Sequence, residues 1–524
     1  MIWRAAALAV SVCLAACATA PSAHAPSSRN YADFLIGRVA NMRDDHAAAA
    51  DRYFAALARS PGDAALVEGA LASSLASGNV DRARRAARMA ARTDAPANAH
   101  IVRAADALAA SRWSLAHSEL SHVEGVAADE LVAHMLDVWA RTGAREGEDA
   151  SADLTQLSSI RPYGGLFMYQ RAMVLDYLGR QDEALALYEA AAQGGLWLPT
   201  GAGRHADLLL RTGARDQALA LLGTEANAAN PGLAHARALI EAGETTTMPA
   251  LTPARGAAIG LYGLSAIFRQ EHDQAKSLAS LTLALMLDPE FDGARLAMAQ
   301  QQADLGHTQA AQAMLADVPQ ASPYYQSAAL LGAWIVFDGG DQEGGIARVQ
   351  PLADAGEAQA LRTLADMYRN MERFSDAERH YSELIGVQPA SWRLHFSRGA
   401  MRERLGRWPE AEADFQRALE ISPDQPDVLN YLGYSWIDRG ERLQEGLAMV
   451  RRAANLRPMS GAIIDSLGWA YYRLGDYAQA VDWLEMAVRL EPADATLNDH
   501  LGDVYWRLGR RIECPGDRGH LPRR

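Results

Sequence analysis

No stretch of this 524-residue chain alternates apolar and polar residues long enough to predict a sheet. Cysteine is scarce: Cys13, Cys17 and Cys514 are the only three. The motif search is equally bare. A GxxxxGK[ST] phosphate loop, an HExxH zinc helix and a GxSxG elbow are all missing, which removes the commonest nucleotide, zinc-hydrolase and serine-hydrolase readings. Basic excess is missing too. A formal net charge of −14 argues against nucleic acid as the main partner, because phosphate binding needs a basic stripe. The apolar run Ala5 to Ala16 has about half the length needed to cross a bilayer.

What is present is a rhythm. Pro389, Pro423, Pro458 and Pro492 recur at intervals of 34, 35 and 34 residues. A fixed period of that size means one supersecondary unit copied many times. Within the unit Gly461 to Pro492 the punctuation is Leu467-Gly468, Tyr471, Leu474-Gly475, Tyr477, Ala480, Leu484 and Ala487. The unit before it has Leu432-Gly433, Trp436, Gly440, Val450 and Ala453, and the one before that Gly399, Gly406, Trp408, Ala411, Phe415 and Ala418. Apolar residues at helical spacing on both sides of a central glycine predict two amphipathic helices per unit. Gly475 suits a helix end that needs positive φ, and the closing proline cannot continue the second helix. Gly468 and Ala480 are small enough to let the paired helices approach closely.

This pattern resembles the tetratricopeptide repeat family, most strongly from Ala358 to Arg510. The resemblance implies an all-α superhelical solenoid of antiparallel helix hairpins. The same grammar, worn down, recurs at Gly37, Ala49, Tyr53, Ala56 and Pro61, and at Gly78, Ala83, Ala87 and Ala90. It recurs again at Gly179, Ala184, Tyr188 and Ala191, at Gly213, Ala218 and Leu222, and at Gly306, Ala311 and Leu315. Residues 30–243 and 254–355 are therefore read as two divergent arrays and 356–510 as a well-formed one. The loop Gly243 to Pro253 is the expected boundary between the first two, and Pro319 to Pro323 is a second interruption. Stacked hairpins are expected to share one thin core, each touching only its neighbours.

The N-terminus carries a separate signal. Arg4 and the apolar run read as a secretory leader, residues 1–16. The run ends in Leu14-Ala15-Ala16-Cys17, which resembles the bacterial lipobox. That resemblance implies cleavage before Cys17, acylation of its thiol and amine, and, with Ala18 following, sorting to the outer membrane facing the periplasm. An ordinary secreted protein cut near Ala18-Thr19-Ala20 or Ala23-His24-Ala25 is the alternative. Residues 17–29, rich in Ala, Pro and Ser, are expected to be a flexible tether reaching at most ~40 Å at ~3.3 Å per residue. With Cys13 removed and Cys17 acylated, Cys514 stands alone and no intrachain disulfide can form.

In the repeat family the first helix of each unit lines the inner surface. Carried onto this chain, its offsets fall on Asn430, Tyr434 and Ile437, on Asp465, Trp469 and Tyr472, and on Asp499, Asp503 and Trp506. Aromatics beside carboxylates and an amide fit a groove for a protein or peptide. The competing reading is that Trp469 and Tyr472 pack between hairpins. Chaperone-binding members grip a carboxylate with lysine and asparagine. Here the lysine offset holds Phe396, Asn430, Asp465 and Asp499, so that clamp is not expected.

Other clusters point to no chemistry. His117 and His122 flank Glu119 at a spacing that does not share a helix face, Asp44-Asp45-His46 reads as a polar connection, and nothing marks Asp499 and Asp503 as a sugar-cleaving pair.

The segments Asn430 to Trp436, Asp465 to Trp469 and Asn498 to Asp503 resemble repeat-containing envelope lipoproteins of proteobacteria, some of which hold a carboxy-terminal processing protease and its cell-wall hydrolase substrates. The expectation is thus a non-catalytic adaptor without cofactor, metal or small-molecule substrate. One alternative is a component of an export, pilus or polysaccharide machine. Another, of a different class, is an enzyme with a divergent site within residues 30–355. The tail, residues 511–524, cannot form the second helix of a last hairpin. It is expected to be a truncated or frame-altered end that leaves an apolar face around Leu501 and Val504 uncovered.

Overall fold

The computed structural model describes residues 28–90, 95–123, 127–159, 162–193 and 198–510. Among these are 29 helices, from Ser28–Asn41 to Ala495–Arg507, and no strand. Consecutive helices pair as antiparallel hairpins, so the chain is an all-α solenoid. The first helix already includes Ser28 and Arg29, which the sequence assigns to the tether. The leader, Cys17, Cys514 and the tail 511–524 lie outside the described residues. No helix among the described residues is long and apolar enough to cross a membrane.

Short local devices set the hairpins. Asp63, Asn79 and Asp476 each cap a helix, accepting from the amides of Leu66, Arg82 and Gln479 at 3.1, 3.0 and 3.1 Å. Such a cap satisfies one of the otherwise unpaired first-turn donors and stabilises by about 1 kcal/mol. Gly475, at φ +82°, makes the turn between paired helices. The same positive-φ turn is made without glycine at Asp44, Ser111, Arg145, His272 and Glu372. Second helices stop at Val387, Ile421, Leu456 and Leu490, each two residues before its proline.

The chain divides into two compact units, up to Ile335 and from Val336 onward. In the second, four hairpins (Ala358–Asn370 with Phe374–Val387, Trp392–Arg404 with Trp408–Ile421, Pro426–Arg439 with Leu443–Leu456, and Gly461–Arg473 with Tyr477–Leu490) are followed by Ala495–Arg507. Each hairpin packs on the next in sequence, as the repeat requires. At Gly433 the helices meet backbone to backbone, since a Cβ there would lie 2.8 Å from the Gly446 carbonyl oxygen. Leu501 and Val504 are buried against Ala480, Val481 and Leu484, so the apolar face expected to be uncovered at the end of the array is covered.

The first unit departs from neighbour-only stacking. Its hairpins present first helices Ala64–Ala76, Ala97–Ala109, Ala127–Gly143 and Gly164–Tyr177 to one side. The hairpin formed by Pro253–Gln270 and Gln274–Leu287 packs against all four. Thr282 donates to the carbonyl of Leu75 at 2.6 Å, and Gln302 to that of Ala76 at 3.0 Å. Gly256 admits the Trp139 ring and Gly260 admits Met135, where a Cβ would lie 2.3 and 2.2 Å from the partner atoms. A single thick core results, and it joins residues more than 200 positions apart.

The loop Gly243 to Pro253 does not end this unit. Asp207 accepts from Thr246 Oγ1, Thr247 N and Met248 N at 2.8, 2.8 and 3.2 Å, pinning the loop to helix Pro199–Arg211. Burial works against the Asp207 charge, yet these bonds and Arg211 outweigh it and hold its pKa below the usual carboxylate range. The division between units falls inside helix Tyr325–Asp338 instead.

Candidate functional site

The nine residues at the inner-surface offsets lie on three successive first helices of the second unit, Pro426–Arg439, Gly461–Arg473 and Ala495–Arg507. Their i, i+4, i+7 spacing puts them on corresponding faces of those helices. Pro426 opens the first helix at a position where its missing N–H costs nothing. Asp494 caps the third, accepting from Thr496 and Leu497 at 2.8 and 3.1 Å.

The structure brings four aromatic rings and one carboxylate into a continuous stack. His500 Nδ1 lies 3.0 and 2.9 Å from the two carboxylate oxygens of Asp465. Trp469 covers the His500 ring at 4.1 Å and 19°, and Tyr472 stacks on Trp469 at 4.6 Å and 19°. Tyr477 tilts against Tyr472 at 5.4 Å, and Arg507 donates to the Tyr472 hydroxyl at 3.3 Å. Burial opposes protonation of His500, but the hydrogen bond and charge of Asp465, with Asp499 and Asp503 beyond, outweigh it and raise the pKa.

Asp465 is itself buried, 5% exposed, and engaged by His500, so it acts by fixing the stack rather than by meeting a partner directly. Trp469 and Tyr472 are half-buried: they pack between hairpins and still present part of their surface. Asn430 and Tyr434 are half-buried on the preceding helix. Burial, with Asp438 and Asp465 nearby, pushes the Tyr434 hydroxyl up. Asp499, Asp503 and Trp506 are exposed, Trp506 by 53%. Burial and the neighbouring Asp499 raise the Asp503 carboxyl. Ile437, the third offset on its helix, is fully buried in the apolar core and is not part of the face. Beneath the face, the buried Asn430 Oδ1 and Trp469 Nε1 have no hydrogen-bond partner among the described residues.

Two features of the second unit escape sequence reasoning. His500 is the hub of the stack, although the only hint of it is its place 35 residues after Asp465. Asp414 holds Arg398 through both carboxylate oxygens at 2.9 and 2.6 Å and Arg402 at 2.9 Å, while Glu378 takes Arg402 at 2.9 Å and Arg407. This network ties two hairpins together. Burial works against the Glu378 charge, but the two arginines outweigh it and lower its pKa.

The other clusters are structural. His117 pairs with Asp137 at 2.6 Å, Glu119 instead takes His100 at 2.8 Å, and His122 stacks on His100. Asp45 caps helix His46–Leu57, with Asp44 at φ +58°, but His46 is buried rather than part of a solvated turn.

Family models match within the second unit. A family model described as tetratricopeptide repeat matches residues 362–426, and another described as TPR repeat matches 468–509. TPR repeat-containing protein PA4667 of Pseudomonas aeruginosa is 30% identical over 125 residues, 24% of this chain and 21% of the relative. The match thus spans about a fifth of that relative's length. Among solved structures, a tetratricopeptide repeat protein from Parabacteroides merdae aligns with 47% of this chain and 98% of its own, at 13% identity and TM-score 0.37. A crystal structure of MamA aligns with 31% of this chain and 96% of its own, at 20% identity and TM-score 0.29.

Proposed function

Because the chain is a tetratricopeptide-repeat protein, and such repeats build protein-interaction scaffolds, we propose that it holds an extended protein segment along the inner face of its last three first helices. The observation that carries this reading is the Tyr472–Trp469–His500 stack. It is fixed from beneath by Asp465 and bordered by the exposed Asp499, Asp503 and Trp506. A rigid aromatic surface offers contact area at little entropic cost. Asp499 and Asp503, exposed on the last helix, favour a segment carrying lysine or arginine, as does the net charge of −14. No covalent step is part of this mechanism.

The cellular setting belongs to the same proposal. Leu14-Ala15-Ala16-Cys17 supports a lipid anchor on Cys17 and a place at the outer membrane facing the periplasm. Likeness to envelope lipoproteins supports a role joining a processing protease to cell-wall hydrolases. Affinity capture from the native envelope, repeated with Trp469→Ala and Trp506→Ala, tests the docking face. Both folded variants are expected to lose the partner, and unchanged capture by both would dismiss the face. Cys17→Ser should release the protein from membranes, and continued membrane retention would remove the anchor.

A further inference from the structure

The two interruptions of the repeat pattern, Gly243 to Pro253 and Pro319 to Pro323, meet in the first unit at one cavity of about 390 Å³. Thr247, Met248 and Pro249 line it from the first interruption, and Ser322, Pro323 and Tyr324 from the second side. That volume lies in the range of small-molecule sites. Its walls are mainly apolar, with Leu233, Leu239, Met248, Ile259 and Phe291 among them.

Arg204 also lines this cavity. It is 3% exposed, and its one hydrogen bond runs from Nη1 to the Pro249 carbonyl at 2.8 Å, while Nε has no partner. The acids around it are already taken. Asp207 is held by Arg211 and the loop amides, and Asp176 by Arg211 at 2.7 Å. Asp288 takes Arg255 at 2.7 and 3.3 Å, and Asp292 lies 3.6 Å from Arg295. Glu290 stands at the mouth with its side chain 90% exposed. A guanidinium this deep, without a carboxylate of its own, is a costly arrangement unless an anion completes it. Burial also holds the Arg204 pKa below its ordinary value.

Two further groups face the same space. Helices Pro199–Arg211 and Pro231–Ala242 begin at the cavity, and Thr200 and Gly232 lie in their first turns, where backbone amides lack intrahelical acceptors. Gly232 leaves room for the Tyr324 hydroxyl, which a Cβ would approach to 2.5 Å.

We propose that this cavity binds a small apolar molecule ending in a single carboxylate, with the carboxylate on Arg204 and Tyr324 and the apolar body against Leu233, Met248, Ile259 and Phe291. A free fatty acid and the carboxyl end of an apolar peptide share that chemistry. The site is independent of the docking face on the second unit, so either can fail alone.

The test is titration calorimetry of the full chain with four probes: octanoate, octanamide, N-acetyl-leucine and N-acetyl-leucinamide. The acids are expected to bind at least about tenfold tighter than their amides, as for a hydrogen bond to a charged group. Tighter octanoate identifies a fatty-acid site, and tighter N-acetyl-leucine a peptide terminus. Arg204→Met should erase the acid preference, and Tyr324→Phe should reduce it. If Arg204→Met does not fold, the methyl resonance of Met248 (assigned with Met248→Leu) reads the site in the unaltered protein. It should shift with octanoate and stay still with octanamide. Equal affinity for acid and amide, no binding of any probe, a preference unchanged in a folded Arg204→Met, or a silent Met248 methyl would each overturn the proposal.

Discussion

Thr282 donates its hydroxyl to the backbone carbonyl of Leu75, 207 residues earlier in the chain, at 2.6 Å in a fully buried setting. A stack of hairpins that touched only their neighbours could not make that bond. In the first unit the side lined by the first helices is filled by the chain's own hairpin Pro253 to Leu287. In the second, Asp499, Asp503 and Trp506 stay exposed on the last of the three helices.

The closure predicts cooperative behaviour. Gly256→Val places a side chain on Trp139 and should destabilise the first unit by about 3 kcal/mol. Hydrogen exchange should then rise together in Ala64–Ala76 and Gln274–Leu287, although they are far apart in sequence. Faster exchange confined to helix Pro253–Gln270 would contradict the closure.

Equivalent glycines should respond with opposite signs. Gly433→Ala forces apart two backbones that touch at Gly446 and should cost about 2 kcal/mol. Gly502, at the matching place in the last helix, has no atom of the described residues within 4 Å of a Cβ built on it. Gly502→Ala should therefore stabilise by about 1 kcal/mol through helix propensity alone. Urea midpoints of the two variants decide it, and a loss in both would mean that the last helix is packed more closely than described.

The stack predicts a pH dependence. The folded pKa of His500 lies above its ordinary 6.5. Its contribution is therefore complete below about 6.5 and is lost as pH rises through the folded value. Urea unfolding at pH 6 and 8.5 should show the second unit weakening at the higher pH, and His500→Gln should flatten that change. An identical pH profile in the variant would assign the effect to other groups.

The two tryptophans of the face separate stability from binding. Trp506, 53% exposed, should tolerate alanine within about 0.5 kcal/mol while partner affinity falls. Trp469→Ala removes the ring over His500 and should cost about 2 kcal/mol as well as affinity. Thermal unfolding of both, beside a binding curve, checks the contrast; a marked loss of stability in Trp506→Ala would place that ring in the core.

Much of this was legible before the structure, and the reasons are local. Gly468, Ala480 and Leu484 meet as their spacing predicts, because helix pairing is a short-range demand. Faded repeats are harder to read because Asp44, Ser111, Arg145 and His272 make the glycine turn without glycine. The closure of the first unit depends on contacts that no period encodes. A signal was nonetheless present: Gln274–Leu287 is apolar on nearly every side after its first turn, and such a helix must be surrounded. On the proposed face, Ile437 turns into the core because an i+7 offset sits at the edge of a helix face, where packing decides. The role of His500 depends on a partner one repeat away, which no local spacing shows.

The most direct test of the account is site-specific photocrosslinking in intact cells, with a benzophenone amino acid at position 434 or 506 on the proposed face and at 482 or 489 on the second helix of the neighbouring hairpin. The account predicts one discrete adduct from 434 and 506, absent from 482 and 489. Adducts from 482 and 489 alone would contradict it.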